Sequence, residues 1–318
     1  MKVIVDTDVG IDDAMSLTFL SACKDVELVA VTLVAGNAET EIVAPNLEKI
    51  STYIGEKSTP LYVGGSFNMG GRLIKSDGYF GKNALGEIEL PDQEVNVSRE
   101  MSSVEALLHY SRKYPKEIHA IFIGPLTNLA IAFLCDNQFP TRLASIIIMG
   151  TDSSESTHQN VTPHAEFNAW CDPWAYNILK DCISPLDVPI TIVEWSTCWT
   201  SLLPFSMIED IKAHKSRVNN VNRHLDLFHK FTDETNVYIK KNFWETGFLT
   251  ADLFAAVGLT HLRIFKNVKK VNITHVETVG ERIGHVKYED HPHGRLNLVK
   301  EIDTDEMAKV IIDTLVSV

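Results

Sequence analysis

Short apolar runs rich in Val and Ile alternate with helix-forming segments along most of this 318-residue chain. Such alternation favours an α/β fold, in which a doubly wound, mostly parallel sheet is flanked by helices. The strands are predicted at residues 3–6, 27–35, 61–63, 118–123, 144–149 and 188–193. The helices are predicted at residues 12–23, 39–54, 101–114, 126–135 and 172–180, and residues 64–98 form an irregular, glycine-rich stretch.

The pattern changes in the last third of the chain. Helical patterns dominate residues 203–258, and short strand-like runs follow them. These runs indicate a small antiparallel addition near the C-terminus. The runs lie at residues 262–275, 283–288 and 295–300, before a helix at 303–317. We predict a single domain over residues 1–318, with a core at 1–258 and the added strands and helix at 259–318.

Charge, apolar content and cysteine spacing limit the partners and the location that we expect for this chain. The net charge of −13 would repel a phosphate backbone, so we expect no nucleic-acid partner. No apolar stretch is long enough to span a membrane, and the first strand follows Met1 and Lys2 directly, so we expect neither membrane association nor a signal peptide. Five cysteines without C-x-x-C spacing suit reduced thiols and a cytoplasmic location. The expected ligand is a neutral small molecule.

Four aspartates lie within eight residues at the end of the first strand: Asp6, Asp8, Asp12 and Asp13. One or two of them could cap the following helix, because Asp is favoured there, but capping does not need four. Carboxylates this close repel one another unless a cation neutralises them. An all-oxygen cluster without nearby Cys or His favours a hard cation such as Ca²⁺ or Mg²⁺. The sequence therefore predicts a metal or catalytic site at this turn.

Glycine and polar residues also follow the other predicted parallel strands. Gly36 and Asn37 follow the second strand, Gly150 follows the strand that ends at Met149, and Glu194 follows the strand at 188–193. The carboxyl ends of parallel strands meet at one edge of an open sheet, where ligands bind. We therefore expect one polar, metal-lined pocket at this edge.

The segment from Asp6 to Ala14, Asp-Thr-Asp-Val-Gly-Ile-Asp-Asp-Ala, closely resembles the N-terminal signature of the nucleoside hydrolases. Three further segments support the resemblance, which spans about residues 1–258: Val34–Asn37, Gly124–Asn128, and Ala165–Asn168 with Asp172 and Pro173. It implies Ca²⁺-dependent hydrolysis of the N-glycosidic bond of ribonucleosides to free base and ribose, by a homodimer or homotetramer. Carboxylates suit this chemistry because the ribose becomes positively charged as the bond breaks.

The resemblance also implies roles for individual residues. Asp8 matches the residue that binds the metal and takes a proton from the attacking water, and Asp6 supports the cluster from behind. The implied metal ligands are Asp8, Asp13, the backbone carbonyl of Ile123, and Asp252. The implied substrate-binding residues are Asp12, Asn37, Met149, Asn160, Glu166 and Asn168. Taken alone, Asn37 would be interpreted as a turn residue, and Thr127 and Asn128 as a helix cap.

Two positions depart from the family pattern. Val9 stands where the family usually has Pro, which we expect to loosen the turn with little effect. Ala251 stands where many members have a His that is thought to protonate the leaving base. Purine-specific relatives also lack that His and use aromatic rings instead, so the departure favours purine nucleosides. The leaving-group candidates are Tyr79, Phe80, Trp244 and His229, with Trp170, Trp195, Trp199, Tyr238 and His164 as alternatives.

Three competing interpretations were weighed against this one. Phosphatases of the haloacid dehalogenase type also begin with Asp-x-Asp, but Gly10 stands where they need Thr or Val. An EF-hand is excluded, because Gly10 falls at loop position five rather than six and Leu17 occupies position twelve. A nucleoside-binding protein with impaired catalysis remains open because of Ala251.

Overall fold

The computed structural model describes residues 1–56, 58–75, 78–91, 100–154, 160–217, 222–242 and 247–318. Of residues 217 and 234–242 it describes the backbone alone. In this described part of the chain, strands and helices alternate in the predicted order.

The described strands form one nine-stranded sheet in the order β3-β2-β1-β4-β5-β6-β9-β7-β8. The strands are β1 Lys2–Thr7, β2 Glu27–Leu33, β3 Leu61–Val63, β4 Ile118–Phe122, β5 Ser145–Met149, β6 Ile190–Val193, β7 Phe265–Val276, β8 Val286–Asp290 and β9 Leu296–Ile302. From β3 to β6 every pair is parallel, which confirms the predicted doubly wound sheet. The antiparallel strands are at the C-terminus, where β7 pairs with both β8 and β9.

One C-terminal strand differs from the expectation. β9 is antiparallel to β7, but it pairs in parallel with β6 and so extends the main sheet. Its carboxyl end therefore points to the same edge as that of β6. The C-terminal segment, from which we expected only a small addition, thus contributes side chains to the edge where the candidate site lies.

Helices cover both faces of the sheet. They are α1 Ile11–Ala22, α2 Thr40–Ile54, α3 Ser103–Lys113, α4 Thr127–Cys135, α5 Phe167–Cys171, α6 Pro173–Ile178, α7 Trp195–Thr200, α8 Phe205–Arg217, α9 Arg223–Asn242, α10 Ala251–Thr260 and α11 Thr304–Val316. The short helices α5 and α7 were not predicted, because five or six residues are too few to establish a helical period. No helix in the described ranges combines the length and apolar character needed to cross a membrane.

The alternation of side chains along β1 separates two cores. Val3 and Val5 pack against the face that carries α1, α2 and α8–α11, whereas Ile4 packs against the face that carries α3, α4 and α6. All three side chains are fully buried, and burying one such side chain contributes about 1.5–3 kcal/mol. A sheet fixed from both faces holds its carboxyl edge rigidly, which is what a polar site at that edge requires.

Candidate active site

The turn between β1 and α1 is held by Asp13. Its carboxylate accepts hydrogen bonds from the hydroxyl of Thr7 and, at 2.8 Å, from the backbone N–H of Gly10, the residue that caps α1. Part of the capping interpretation is therefore correct, since one of the four aspartates satisfies an orphan donor of the helix. The other carboxylates are not needed for this task.

A second helix brings further groups to the same turn. α10 begins at Ala251, and its first two backbone N–H groups, those of Ala251 and Asp252, lie near the carboxylate of Asp12 and favour its ionised form. Single carboxylate oxygens of Asp12, Asp13 and Asp252 lie within 4.8 Å of one another. The positive ends of two helices, α1 and α10, thus face a cluster of negative charge, which offsets part of its repulsion.

The carboxylates of this cluster are costly to ionise in the folded protein. Burial, together with the charge of Asp13, raises the pKa of Asp8 well above its usual range and that of Asp12 to about 7. Burial and the charge of Asp12 raise the pKa of Asp252 in the same direction. The nearby charges of Asp13 and Asp8 act on the pKa of Asp252 in the same direction.

These observations test whether a cation fits the site. Oδ1 of Asp8 is buried and has no hydrogen-bond partner in the described part of the chain, so it lacks the compensation that a buried oxygen normally finds. A hard divalent cation would supply that compensation and would neutralise the neighbouring carboxylates. The donor set therefore fits Ca²⁺ or Mg²⁺, and the side chains that could hold the ion are Asp8, Asp13 and Asp252, with the carboxylate of Asp12 beside them.

Asp8 is positioned from β2. The backbone N–H of Asn37 donates to Oδ2 of Asp8 at 2.8 Å, and Nδ2 of Asn37 donates to Asp13 at 3.2 Å. Gly36 is needed for this approach, because a Cβ atom there would lie 1.9 Å from Oδ2 of Asp8. Asn37 is thus more than a turn residue: it joins the end of β2 to the carboxylate cluster.

Glu166 and Asn168 lie at the start of α5 rather than on a strand. The chain becomes helical at Phe167, and the Glu166 side chain caps that helix. The Glu166 carboxylate accepts three backbone N–H groups, from Thr151, Asn168 and Ala169, at 2.8–3.0 Å. Burial raises the pKa of Glu166 to about 7, although these donors favour its ionised form.

Asn168 connects two strand ends. Its Nδ2 donates to the backbone carbonyl of Ile123 at 3.0 Å and to that of Met149 at 3.3 Å. The carbonyl of Ile123, an expected metal ligand, therefore has a hydrogen-bond donor beside it. Asn168 fixes the ends of β4 and β5 relative to each other on the side of the site opposite β2.

One cavity brings most of the predicted site residues together. Its polar wall contains Asp8, Asp12, Asn37, Asn160, Glu166, Asn168 and Asp252. Its remaining wall is formed by Tyr79, Phe80, Ile123, Met149, Phe167, Trp195 and Ala251. Asp13 does not line the cavity but lies fully buried behind it. Sequence reasoning did not select Phe167 for this wall and gave Trp195 only as an alternative, because the short helices that carry them had no detectable period.

Four aromatic rings line this cavity, those of Tyr79, Phe80, Phe167 and Trp195. The rings of Tyr79 and Phe80 meet edge to face with centroids 4.8 Å apart, and Trp195 begins α7 on another part of the wall. Phe80 lies directly over Gly10, where a Cβ atom would come within 2.6 Å of its ring. The loop at residues 78–86 is therefore in contact with the aspartate turn.

Other leaving-group candidates lie elsewhere. His229 is buried on α9, with Nδ1 3.4 Å from Asp233, and does not line the described cavity. Trp170 packs against Arg72, whose Cζ atom lies 4.3 Å from its ring centroid. Trp244 and the side chain of Tyr238 lie outside the described residues.

A second row of buried polar groups supports the turn. Oδ2 of Asp6 accepts from Oγ1 of Thr32 at 2.6 Å and from Nδ2 of Asn128 at 2.8 Å, so Asp6 joins β1 to β2 and to the first turn of α4. Thr127 donates its hydroxyl to Asp172 at 2.6 Å. The expectation that Thr127 and Asn128 cap the helix was therefore wrong: α4 is capped at Leu126, and both side chains bind other carboxylates.

Val9 does not loosen the turn as expected. It is fully buried and has a positive φ of 43°, a conformation that is rare for a β-branched residue. The structure thus holds a strained residue next to Asp8, and the surrounding contacts must compensate for its cost.

The sequence is similar to those of nucleoside hydrolases and nucleosidases. The family profile described as "Inosine-uridine preferring nucleoside hydrolase" matches residues 3–309. Among curated proteins, uridine nucleosidase 1 of Arabidopsis thaliana is 34% identical over 179 residues, which cover 56% of this chain and 52% of that protein. The inosine-uridine preferring nucleoside hydrolase of Crithidia fasciculata is 27% identical over 179 residues, 56% of each chain. The alignments thus span about half the length of these curated relatives.

Solved structures share the whole fold. A plant nucleoside hydrolase, PpNRh1, superposes with a TM-score of 0.86 at 22% identity, covering 100% of this chain and 99% of the other. A purine-preferring ribonucleoside hydrolase from Gardnerella vaginalis superposes with the same TM-score of 0.86 at 20% identity, covering 100% and 98%. At such identities the likeness establishes the fold.

Proposed function

The chain belongs to the inosine-uridine preferring nucleoside hydrolase family, and on this premise we propose that it hydrolyses the N-glycosidic bond of ribonucleosides to free base and ribose. The observation that carries the proposal is the cavity itself. Buried carboxylates lie on one side of it, and one of their oxygens has no hydrogen-bond partner among the described residues. Asn and Glu side chains lie on another side, and aromatic rings form the remaining wall.

Asp8 is the proposed proton acceptor. Its Oδ2 is fixed by Asn37, while its buried Oδ1 has no hydrogen-bond partner among the described residues and is left for a metal ion or a water bound to it. The raised pKa of Asp8 makes it a better base than an exposed aspartate once it is ionised. Ca²⁺ bound by Asp8, Asp13, Asp252 and the carbonyl of Ile123 would orient water and lower its pKa.

The ribose is proposed to lie between the two polar sides of the cavity. Asp12 and Asn37 approach it from the β1 and β2 ends, and Asn160, Glu166 and Asn168 approach it from the β5 side, next to Met149. Ionised carboxylates close to the ring stabilise the positive charge that develops as the bond breaks. A substrate without a ribose hydroxyl would leave these buried polar groups unpaired, which selects for ribonucleosides over deoxyribonucleosides.

The base is proposed to stack on the aromatic wall, with purine nucleosides favoured. Tyr79, Phe80 and Trp195 line the cavity, and the methyl group of Ala251 takes the place where an acid would otherwise stand. A purine presents a larger ring surface than a pyrimidine and gains more from stacking. Leaving-group activation by stacking needs no proton donor at position 251.

Uridine is the second candidate, and it is favoured by the names of relatives. The Arabidopsis protein at 34% identity is named a uridine nucleosidase, and a protein of Photobacterium profundum at 28% identity is named a pyrimidine-specific ribonucleoside hydrolase. The part of the cavity proposed to face the base is lined by residues of the β1–α1 turn, the 78–86 loop and α7. Contacts of the base with these residues determine whether purine nucleosides or uridine are preferred.

One assay tests the proposal and separates the candidates. Base and ribose release is measured for inosine, adenosine, guanosine, uridine and cytidine, with p-nitrophenyl riboside as an activated substrate. We expect release from purine nucleosides at a higher kcat/KM than from pyrimidine nucleosides. The opposite order would favour uridine, and cleavage of p-nitrophenyl riboside alone would indicate impaired leaving-group activation. No release from any substrate would contradict the proposed hydrolysis and favour a nucleoside-binding protein.

Assembly and location are proposals as well. A homodimer or homotetramer in the cytoplasm is the arrangement that the family resemblance implies. Light scattering of the purified protein would measure its mass against the 35.6 kDa of one chain.

A further inference from the structure

Thr151 connects the candidate ribose site with two other parts of the fold. Its backbone N–H donates to Oε2 of Glu166 at 2.8 Å, and its backbone carbonyl accepts from the N–H of Trp195 at 2.9 Å. Its hydroxyl lies 2.9 Å from the hydroxyl of Tyr288 on β8. Thr151 therefore contacts three groups at once: Glu166, Trp195 in the cavity wall, and Tyr288 on the C-terminal strand β8.

The backbone of Thr151 needs such support. Its φ is +73°, in the left-handed region that a β-branched residue rarely adopts, and the residue is fully buried. A conformation of this kind persists only when the surrounding contacts over-determine it. The hydrogen bond with Tyr288 fixes the side chain of Thr151, while the bonds with Glu166 and Trp195 fix its backbone N–H and carbonyl.

Ser153, two residues after Thr151, is bound to Glu194, which in turn pairs with a lysine of the C-terminal strand β9. Ser153 donates its N–H and its hydroxyl to Oε2 of Glu194, at 3.1 and 2.6 Å. Oε1 of Glu194 accepts from Nζ of Lys300 on β9, and the Glu194 side chain is fully buried. A buried carboxylate with a cation on one oxygen and two donors on the other is a rigid anchor.

We propose that Tyr288 and the Lys300–Glu194 pair are positioning residues, which hold residues 151–153 so that Glu166 stays oriented toward the ribose. The inference rests on the proposed function and adds to it, because neither the four motifs nor the metal cluster includes these residues. The parallel pairing of β9 with β6 is part of this arrangement, because it brings Lys300 beside Glu194.

Conservative variants separate this role from a general contribution to stability. Tyr288→Phe and Thr151→Val each remove one hydroxyl from the same contact without changing side-chain shape. Tyr110→Phe is the matched control, because the Tyr110 hydroxyl lies 3.1 Å from that of Tyr62 in a buried pair away from the cavity. In a protein that already carries Glu166→Gln, loss of the Thr151–Tyr288 hydrogen bond should not change the activity further. Thermal unfolding midpoints are recorded for every variant.

We expect Tyr288→Phe to lower kcat/KM for p-nitrophenyl riboside about fivefold, the effect of one hydrogen bond of about 1 kcal/mol. The double variant with Thr151→Val should lose no more than either single variant. In the Glu166→Gln background, Tyr288→Phe should have no further effect, because contacts in one chain of hydrogen bonds are not additive. Tyr110→Phe should leave kcat/KM unchanged.

Full additivity with Glu166→Gln, an unchanged kcat/KM in Tyr288→Phe, or an equal loss in Tyr110→Phe would each overturn the positioning role. A wild-type protein that cleaves no riboside would refute the proposed function instead. The same variants would then be compared by calorimetric titration with inosine. A fivefold weaker Kd in Tyr288→Phe, with an unchanged Kd in Tyr110→Phe, supports the positioning role. Absence of inosine binding would overturn both.

Discussion

The backbone N–H of Asn37 donates a 2.8 Å hydrogen bond to Oδ2 of Asp8, and this bond joins the end of β2 to the end of β1. It is possible because the preceding residue, Gly36, has no side chain: a Cβ atom there would lie 1.9 Å from the same oxygen. The position of the proposed proton acceptor thus depends on a backbone contact and on a missing methyl group.

Gly36→Ala tests this dependence without touching any carboxylate. The added methyl group must displace Asp8, so we expect hydrolysis to fall by at least about 100-fold, as when a positioned proton acceptor is lost. Gly65→Ala is the matched control, because a Cβ atom there meets no atom of the described residues within 4 Å. Equal activity of the Gly36→Ala and Gly65→Ala proteins would show that Asp8 is not positioned in this way.

The stability of the metal-free protein should depend on pH. Burial raises the pKa of both Asp12 and Glu166 to about 7, whereas in the unfolded chain such groups ionise near pH 4. Between these values the folded state binds more protons than the unfolded state, so stability should fall as pH rises from about 4 to about 7 and then level off. Thermal unfolding in EDTA across this range measures the slope.

Bound calcium should remove this decrease in stability with rising pH. Because a bound cation favours the ionised carboxylates, its stabilising effect should grow as pH rises through the same window. The corresponding experiment compares unfolding midpoints with Ca²⁺ and with EDTA at each pH. A metal-free midpoint that rises between about pH 4 and about pH 7 would contradict the burial of these carboxylates.

Phe80→Ala tests the aromatic wall. If a purine base stacks on this ring, kcat/KM for inosine should fall roughly tenfold, the upper range for one aromatic contact. The loss for p-nitrophenyl riboside should be smaller, because that leaving group needs no activation by protonation. Phe67→Ala is the control, since that ring is 58% exposed and lies away from the cavity. Equal losses on both substrates would count against stacking as the means of activation.

Thr127→Val tests the polar support behind the site. The hydroxyl of Thr127 donates to the buried carboxylate of Asp172 at 2.6 Å, so its removal leaves that carboxylate short of one donor. We expect a loss of about 1–3 kcal/mol in the free energy of unfolding, measured by urea denaturation. Thr141→Val, whose hydroxyl bonds an exposed backbone carbonyl, should cost less than about 0.5 kcal/mol. A Thr127→Val protein as stable as Thr141→Val would argue against this support.

The parallel sheet and the aspartate turn were predictable because both depend on local pattern. β-branched runs define the strands, and four aspartates within eight residues exceed what helix capping requires. The close approach of Asp252 to this turn could be expected only from the family resemblance, since 239 residues separate Asp13 from Asp252.

Other parts of the site depend on contacts that no local pattern records. Thr127 and Asn128 resemble helix caps in sequence, but their partners, Asp172 and Asp6, belong to distant segments. The helix that begins at Trp195 is too short to produce a period, so its place in the cavity wall could not be inferred. The contact of Thr151 with Tyr288 depends on the pairing of β7 with β8, which sequence alone did not specify.

The central claim is that the carboxylate cluster at the β1–α1 turn, with a divalent cation, cleaves ribonucleosides. The most direct test measures ribose release from inosine and from uridine by the wild-type protein, after EDTA treatment and after Ca²⁺ is restored, beside Asp8→Asn. We expect release that EDTA abolishes, that Ca²⁺ restores, and that Asp8→Asn lacks under both conditions. Release that survives in EDTA or in Asp8→Asn, or its absence from the Ca²⁺-loaded wild-type protein, would contradict the claim.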